Sequence, residues 1–285
     1  MDKAELTDAR AIWSLLGRHG FRFTKSLGQN FLTAAWVPER VAEAAELGPD
    51  TGVLEVGPGI GALTVELSAR AGRILSVELD RSLEPLLRET LADCANVELV
   101  FADARKLDLT ALVKEHFLGL RPVVCANLPY NVTSPLLAAF LEAHCFDTIT
   151  VMVQREVAQR LCAAPGTADY GAFSVFTQWH TEPERLFDVP PGCFVPQPKV
   201  TSSVIRLRRR GAPPADVPDE GFFFRVVRAA FAQRRKTLVN ALSAGLALPK
   251  AAVEATVCGV GLDPRVRGEE LGISAFAALA ARLRD

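Results

Sequence analysis

Short apolar runs and longer amphipathic stretches take turns along the first half of the chain. Continuous apolar runs of about four to eight residues are typical of buried strands, whereas apolar positions three to four residues apart are typical of amphipathic helices. Alternation of this kind predicts βαβ units, and therefore an α/β domain whose mostly parallel sheet is covered on both faces. The predicted strands are Val53–Val56, Ile74–Val77, Val97–Phe101, Pro122–Ala126 and Thr148–Val153, and the predicted helices are 4–18, Ala62–Ala69, Leu83–Leu91 and Leu136–Ala143.

The alternation stops after residue 185. The segment Leu186–Leu207 is predicted to form two strands around a proline-rich loop, which indicates one antiparallel edge strand on the parallel sheet. Residues 211–219 contain three prolines and one glycine and predict a linker. We therefore predict a first domain over residues 1–210 and a small helical domain over 217–285. Its predicted helices are about 221–231, 234–246, 250–258 and 273–284.

Composition narrows the class of protein. The chain has 285 residues, of which 49% are hydrophobic and 23% charged, and these values exclude fibrous and disordered proteins. The net charge is only −1, yet residues 181–285 hold 16 basic against 11 acidic side chains. A basic C-terminal part permits a nucleic-acid partner.

Targeting and metal signals are missing from the sequence. Asp2, Glu5 and Asp8 precede any apolar run, which argues against a signal peptide, and no stretch is long and apolar enough for a membrane span. The six cysteines and four histidines lie outside any zinc-ligand spacing. We therefore expect a cytoplasmic protein with free thiols, no bound metal and no membrane partner.

A glycine-rich turn follows the first predicted strand of the sheet. Gly57 and Gly59 let the backbone approach a ligand closely where the next helix begins. Glu78 ends the following strand, 21 residues after Gly57, where a carboxylate can accept both hydroxyls of a ribose. Asp103 follows the next strand and can accept a hydrogen bond from an adenine amino group. These residues predict a cofactor that contains a nucleoside.

The same turn also satisfies the dinucleotide pattern, with Ala62 in its last place, so a nicotinamide or flavin cofactor is an alternative. Two residues favour a nucleoside with an amino-acid tail over a pyrophosphate. Glu55 places an acid directly before the turn, and Pro58 stiffens it.

The strongest chemical signal is the tetrapeptide Asn127-Leu128-Pro129-Tyr130 at the end of a predicted strand. The nitrogen of an adenine amino group is a poor nucleophile because its lone pair is delocalised into the ring. The side-chain oxygen of Asn127 and the carbonyl of Leu128 can each accept one amino hydrogen and so favour a pyramidal, nucleophilic nitrogen. Pro129 fixes the turn, and Tyr130 offers a face on which an extruded base stacks.

Four further segments complete a pattern that resembles the KsgA-type ribosomal RNA adenine N6-dimethyltransferases nearly from end to end. The glycine turn is shared by many methyltransferases, whereas the last two of these segments are much more specific. The four segments are, in chain order, Lys25–Leu32, Gln154–Leu161, Phe187–Val200 and Phe231–Leu238.

The resemblance implies a Rossmann-like class I methyltransferase sheet and S-adenosylmethionine as methyl donor, with S-adenosylhomocysteine as product. It implies a monomer that dimethylates two adjacent adenosines near the 3′ end of small-subunit ribosomal RNA within a pre-small-subunit particle, with a role in small-subunit biogenesis. Asn127 and Tyr130 would hold the base, with Phe194 on its other side. The implied cofactor contacts are Asn30, Leu32, Gly57, Gly59, Glu78, Asp103 and Asn127.

Basic residues late in the chain are candidates for phosphate contacts. We predict RNA binding by Arg234, Arg235 and Lys236, which would open a helix after Phe231, together with Arg206 and Arg208. One departure from the family bears on a different loop: many relatives carry a lysine where this chain has Ala168, which weakens the expectation of an RNA contact there.

Three alternative functions stay open at this point. The related Erm enzymes modify large-subunit RNA, although the segment Phe194–Val200 and the long helical tail favour the small-subunit substrate. A non-catalytic ribosome-assembly factor would keep the fold, yet Asn127 and Tyr130 are both present. A nicotinamide-dependent oxidoreductase would leave the tetrapeptide Asn127–Tyr130 unexplained.

Overall fold

A computed structural model describes residues 5–24 and 27–284 of the chain. Lys25 and Ser26, which begin one of the family-like segments, lie outside the described residues. Two compact units are present. The first comprises the chain up to Ala158 together with Glu184–Arg209, and the second comprises Gln159–Pro183 and the chain from Arg210 onward.

The first unit alternates strands and helices, as the apolar pattern predicts. No helix within the described residues is long and apolar enough to cross a membrane. In chain order, the elements of the first unit are α1 (Ala9–Arg18), β1 (Phe31–Leu32), α2 (Trp36–Ala44), β2 (Thr51–Val56), α3 (Ala62–Ser68), β3 (Arg73–Glu78), α4 (Glu84–Thr90), β4 (Val97–Phe101), α5 (Leu109–His116), β5 (Arg121–Asn127), α6 (Thr133–Glu142), β6 (Thr148–Gln154), β8 (Phe194–Val195) and β9 (Ser202–Arg209). Two further elements, α7 (Arg155–Leu161) and β7 (Thr181–Val189), have residues in both units.

The main sheet has the strand order β4-β3-β2-β5-β6-β9-β7. The pairs β2–β3, β3–β4, β2–β5 and β5–β6 are parallel, and β9 runs antiparallel to β6 with Gln154 opposite Ser202. The predicted Rossmann-like sheet is confirmed. The antiparallel strand β9 is not outermost, since β7 lies beyond it. The order reverses between β2 and β5, and at such a point the carboxyl ends of parallel strands leave a crevice for a ligand.

Two helices of the first unit escape the sequence prediction. Helix α2 buries Val37, Val41 and Ala42 beside strand residues such as Val53, and α5 buries Leu109 and Leu112. Pro38 lies inside α2 and is typical of a helix boundary, and α5 has only two buried apolar positions, so neither segment gives a clear periodic signal. The pattern also misses a two-residue ladder, in which β1 pairs antiparallel with β8 and Leu32 lies opposite Phe194.

The second unit is helical and has its own core. It contains α8 (Ala172–His180), α9 (Glu220–Ala232), α10 (Leu238–Leu246), α11 (Lys250–Gly259) and α12 (Ile273–Arg284). The ring of Trp179 stacks on that of Phe223 with 4.3 Å between centroids, and both side chains are buried. Because Tyr170, Val175 and Trp179 belong to this core, residues 159–183 fold with the helical unit rather than with the predicted domain 1–210.

Candidate active site

The carboxyl ends of β2, β3, β4 and β5 surround a cavity with about 850 Å³ of empty space, its open mouth included. Within the described residues, no three His, Cys, Asp or Glu side chains come together as a metal site. Most of the site residues predicted from the sequence line this cavity: Asn30, Gly57, Gly59, Glu78, Asp103, Asn127, Leu128, Pro129 and Tyr130.

The glycine turn adopts the backbone that its sequence requires. Gly57, Gly59 and Gly61 have φ values of +74°, +61° and +91°, in the left-handed region that other residues rarely adopt. A Cβ at Gly57 would lie 3.5 Å from Pro129 Cδ, and one at Gly59 would lie 3.1 Å from the Phe31 ring. The turn therefore packs closely against the reacting tetrapeptide.

Glu55, the acid that precedes the turn, is an internal group. Its carboxylate is 1% exposed and accepts hydrogen bonds from Thr64 Oγ1 at 2.8 Å and from Ser76 Oγ at 2.6 Å. Burial raises the pKa of Glu55 to about 7, although the two hydroxyls lower it. Glu55 thereby joins β2, α3 and β3 beneath the turn.

Glu78 lies where β3 ends, with 7% of the residue exposed. Its carboxylate accepts a hydrogen bond from the backbone N–H of Asp80 at 2.9 Å, and the amides of Gly59 and Leu79 also support it. Burial raises the pKa of Glu78 to about 6, against the effect of these donors. The carboxylate is therefore held in a fixed orientation and is largely ionised at neutral pH.

Asp103 follows β4 and has very different surroundings. Arg105 grips both of its oxygens, with Nε at 2.9 Å from Oδ1 and Nη2 at 2.8 Å from Oδ2. The backbone N–H of Arg105 donates to Oδ1 as well, at 3.1 Å. Hydrogen bonding to this side chain lowers the pKa of Asp103 to about 2. Asp103 is consequently a permanently charged acceptor at the cavity wall.

Asn127 is the last residue of β5, where it lies opposite Met152 of β6. Among residues 5–24 and 27–284, no group forms a hydrogen bond with its side-chain amide. The next residue, Leu128, donates its N–H to the Met152 carbonyl at 3.2 Å and buries its side chain. The strand thus fixes the backbone while the Asn127 amide faces the cavity unsatisfied.

Tyr130 opens a single 3₁₀ turn, Tyr130–Val132, between β5 and α6. Its hydroxyl lies 2.6 Å from Ser202 Oγ, at the start of β9, and the two share a hydrogen bond. Burial raises the pKa of Tyr130 above its ordinary value, so the phenol keeps its proton at neutral pH.

One predicted contact, that of Phe194, needs correction. Phe194 does not line the cavity: it is 3% exposed and packs in the core of the first unit, because the β1–β8 ladder directs its apolar ring inward. Leu32, opposite it, is also mostly buried in that core, but it lines a smaller pocket together with Asn30, Gly57 and Asn127, so its cofactor contact stays a prediction. Tyr130 therefore lines the cavity and Phe194 does not.

Arg206 and Arg208 are not free for phosphate groups, contrary to the prediction. Arg206 contacts Glu46 and Glu184, each at 2.7 Å, and its side chain is only 13% exposed. Arg208 contacts the same carboxylates at 2.6 and 3.4 Å. Two cations facing two anions form a neutral network, which the sequence hides because Glu46 is 160 residues from Arg206.

The basic triplet 234–236 lies in the second unit, in the turn between α9 and α10 rather than in a helix as predicted. Arg234 Nη2 donates to the carbonyls of Ala168 at 2.7 Å and of Tyr170 at 3.2 Å. It therefore ties down the loop that contains Ala168. The side chains of Arg235 and Lys236 are exposed and form no hydrogen bond or ion pair with the described residues.

Three side chains with a part in the site were missed. Arg105 holds Asp103, Ser202 holds Tyr130, and Gln29 Nε2 donates to Asp80 Oδ2 at 2.7 Å beside Glu78. Gln29 belongs to the family-like segment Lys25–Leu32, so a signal for it was available. Ser202 had none, because it lies 72 residues from its partner and serine is common in strands.

Known proteins resemble this chain over nearly its whole length. A family model described as ribosomal RNA adenine dimethylase matches residues 20–276. The ribosomal RNA small subunit methyltransferase A of Geobacillus sp. (strain WCH70) is 45% identical over 275 residues, which cover 95% of this chain and 94% of that protein. The protein of the same name from Bacillus cytotoxicus is 47% identical over 274 residues, covering 94% of each.

Two solved structures resemble it as well. The crystal structure of the 23S rRNA methyltransferase ErmE has a TM-score of 0.67 and 31% identity, and the match covers 90% of this chain and 100% of that one. A dimethyladenosine transferase from Plasmodium falciparum has a TM-score of 0.69 and 23% identity, with coverage of 87% and 95%. The second likeness concerns the fold alone.

Proposed function

The chain belongs to the ribosomal RNA adenine dimethylase family, and from this premise we propose that it dimethylates N6 of two adjacent adenosines in small-subunit ribosomal RNA, near the 3′ end. The methyl donor is S-adenosylmethionine. The observation that supports the proposal best is one cavity that holds both the nucleoside-binding carboxylates and the unsatisfied amide of Asn127.

The cavity residues fit such a donor. Glu78 would accept the ribose hydroxyls, and Asp103 would accept the adenine amino group. The positive-φ glycines at 57 and 59 leave room for the amino-acid tail beside Asn30. When bound, the donor supplies an electrophilic methyl group on a sulfonium and leaves as the neutral thioether S-adenosylhomocysteine.

At the other end of the cavity the chain's own groups prepare the nucleophile. Asn127 Oδ1 and the Leu128 carbonyl accept the two amino hydrogens of the target adenine, which directs the nitrogen lone pair toward the methyl carbon. Tyr130 stacks on the base and holds it out of the RNA. As the new N–C bond forms the C–S bond breaks, and the nitrogen then loses a proton to water.

The small-subunit substrate is supported by the relatives at 45–47% identity, whose names specify that subunit. ErmE, named for 23S rRNA, is 31% identical. Arg235 and Lys236 are the exposed cations we propose for RNA phosphates, with Arg234 shaping the neighbouring loop. We further propose that the substrate is a pre-small-subunit particle and that a cytoplasmic monomer acts on it.

Transfer of labelled methyl groups from S-adenosylmethionine to purified, unmethylated small and large ribosomal subunits tests the proposal. We expect dimethyladenosine only in small-subunit RNA, and none with the Asn127→Ala variant. Label in the large subunit would instead indicate that the substrate is large-subunit RNA, as for the Erm enzymes.

Absence of label in both subunits, with S-adenosylhomocysteine still bound, would instead favour a non-catalytic assembly factor. Calorimetry with S-adenosylhomocysteine and with NAD separates the remaining alternative, because tight NAD binding would contradict a methyl-donor site. Light scattering after gel filtration measures whether the active species is a monomer.

A further inference from the structure

The Tyr130 ring lies on a segment with little secondary structure of its own. A single 3₁₀ turn, Tyr130–Val132, separates the end of β5 from helix α6. A tyrosine side chain in a short turn has two rotatable bonds, and its ring must reach one orientation before a base can stack on it. A partner outside the turn is needed to fix that orientation.

Ser202 is such a partner. It is fully buried at the first position of β9, opposite Gln154 of β6. The adjacent backbone is tied as well, because Arg155 donates its N–H to the Thr201 carbonyl at 3.0 Å. The Ser202 hydroxyl, 2.6 Å from the Tyr130 hydroxyl, is thus anchored on β9, a strand that pairs with β6 on one side and with β7 on the other.

We infer that Ser202 is a positioning residue for base stacking: its hydrogen bond fixes the Tyr130 ring before the RNA arrives. The inference rests on the proposed function, since it presumes that Tyr130 stacks on the target adenine. Ser202 itself touches neither RNA nor cofactor and acts through Tyr130 alone. The Tyr130 hydroxyl, likewise, serves the ring rather than the reaction.

The neighbouring serine provides a matched control. Ser203 is also buried on β9, but its hydroxyl donates to Asp188 Oδ1 at 2.5 Å. Successive residues of a strand point to opposite faces, so the same serine-to-alanine change is made one position away without touching Tyr130. Both variants lose one buried hydrogen bond, and the bond to the Asp188 carboxylate is the stronger of the two, so Ser203→Ala sets an upper limit on the general cost of such a loss.

Steady-state kinetics of methyl transfer to small ribosomal subunits test the inference. For Ser202→Ala we expect kcat to fall about tenfold, because the ring is no longer preorganised, with the KM for S-adenosylmethionine within about twofold of the parent. Tyr130→Phe keeps the ring but loses the hydroxyl and should match this fall. The double variant should fall no further, because both changes remove the same bond. Ser202→Thr should restore kcat, and Ser203→Ala should leave it within about twofold.

A spectroscopic readout separates positioning from general damage. The chain has only two tyrosines, so ¹³C-tyrosine labelling gives two ring signals, and Tyr130→Phe identifies one of them. Ser202→Ala should broaden or shift the Tyr130 signal and leave that of Tyr170 in place. Unchanged kcat and an unchanged Tyr130 signal in folded Ser202→Ala would overturn the inference while methyl transfer by the parent still stood. Additive losses in the double variant would also overturn it. Absence of transfer by the parent enzyme would instead refute the proposed function.

Discussion

Where β3 and β4 end, the carboxylates of Glu78 and Asp103 are already held by donors of the chain itself. Where β5 ends, the side-chain amide of Asn127 has no hydrogen-bond partner among the described residues. These two regions of one cavity, the recognition end and the reacting end, are therefore built in opposite ways. Donors fix each carboxylate in place before the cofactor binds. The Asn127 amide keeps its acceptor capacity, which in the proposed reaction serves the amino hydrogens of the substrate.

This difference has a physical reason. A recognition group must be oriented and charged at all times, and nearby N–H donors achieve both. A group that stabilises a transition state contributes most when its hydrogen bond strengthens only as the reaction proceeds. Substitutions at the two ends should consequently separate into effects on binding and effects on turnover.

The largest effect is expected at the reacting end. Asn127→Ala should lower kcat by about 10³-fold, or about 4 kcal/mol, because one acceptor of the amino hydrogens is lost. The Kd for S-adenosylhomocysteine should rise by less than about tenfold. Single-turnover methyl transfer and calorimetry measure the two quantities. Turnover near that of the parent would show that Asn127 does not take part in the reaction, and the two ends of the cavity would then not differ as argued above.

Next in size is the pH dependence of stability contributed by Glu55 beneath the glycine turn. Its pKa rises from 4.5 to about 7 on folding, so its contribution is fully present below pH 4.5 and is lost as the pH rises through 7. The parent's free energy of unfolding should drop by about 3 kcal/mol more than that of Glu55→Gln between pH 4.5 and 8.5.

Urea unfolding at both pH values measures this difference. The exposed Glu39→Gln is the control, and its pH dependence should follow the parent's within about 0.5 kcal/mol. Parallel pH profiles for the parent and Glu55→Gln would contradict the buried, proton-binding role of Glu55.

At the recognition end, Glu78→Gln should weaken S-adenosylhomocysteine binding about 10- to 100-fold, because bonds to a charged acceptor become bonds to a neutral one. The kcat at saturating donor should stay within about threefold. Since burial raises the pKa of Glu78 to about 6, binding to the parent should weaken as the pH falls through 6. Calorimetry between pH 5 and 8 should show this slope for the parent and lose it in the variant.

The smallest effect is expected for Arg105→Ala. At pH 7.5 Asp103 is ionised with or without Arg105, so cofactor affinity should change less than about threefold. Without the guanidinium the carboxylate binds a proton at a higher pH, and the loss of affinity should grow below about pH 5. Arg88→Ala, which removes an exposed ion pair with Glu84, serves as the control for calorimetry. The backbone N–H at position 105, which the variant keeps, still donates to Asp103. A large loss at pH 7.5 would show that this donor is not enough and that the guanidinium is needed to orient Asp103.

Features that depend on residues close together in the sequence could be predicted, whereas features that depend on distant residues could not. The strands β2 to β6 and the glycine turn were predictable, because apolar runs and positive-φ glycines are local properties. The cavity residues were predictable for a related reason: in a parallel sheet, residues that end successive strands meet at one edge. The small-residue and carboxylate pattern at Gly57, Glu78 and Asp103 encodes that edge directly.

The charges and hydroxyls that pair across the sheet were not predictable in this way. The sequence predicts that Arg206 and Arg208 bind RNA, whereas in the structure they form ion pairs with Glu46 and Glu184. The family resemblance predicts that Phe194 stacks on the base, whereas in the structure the pairing of β1 with β8 places its ring in the core. Each of these outcomes depends on which distant segments become neighbours.

The sequence by itself determined the fold class, the family and the list of groups at the carboxyl edge of the sheet, because the succession of strands and helices and the spacing of the motifs are written along the chain. Only the tertiary structure decided which of those groups remain available. Arg105 binds both oxygens of Asp103, Ser202 holds Tyr130, and Asn127 is left without a partner among the described residues. Burial and hydrogen bonding act through space, and spacing along a chain does not specify which partner a side chain will meet there.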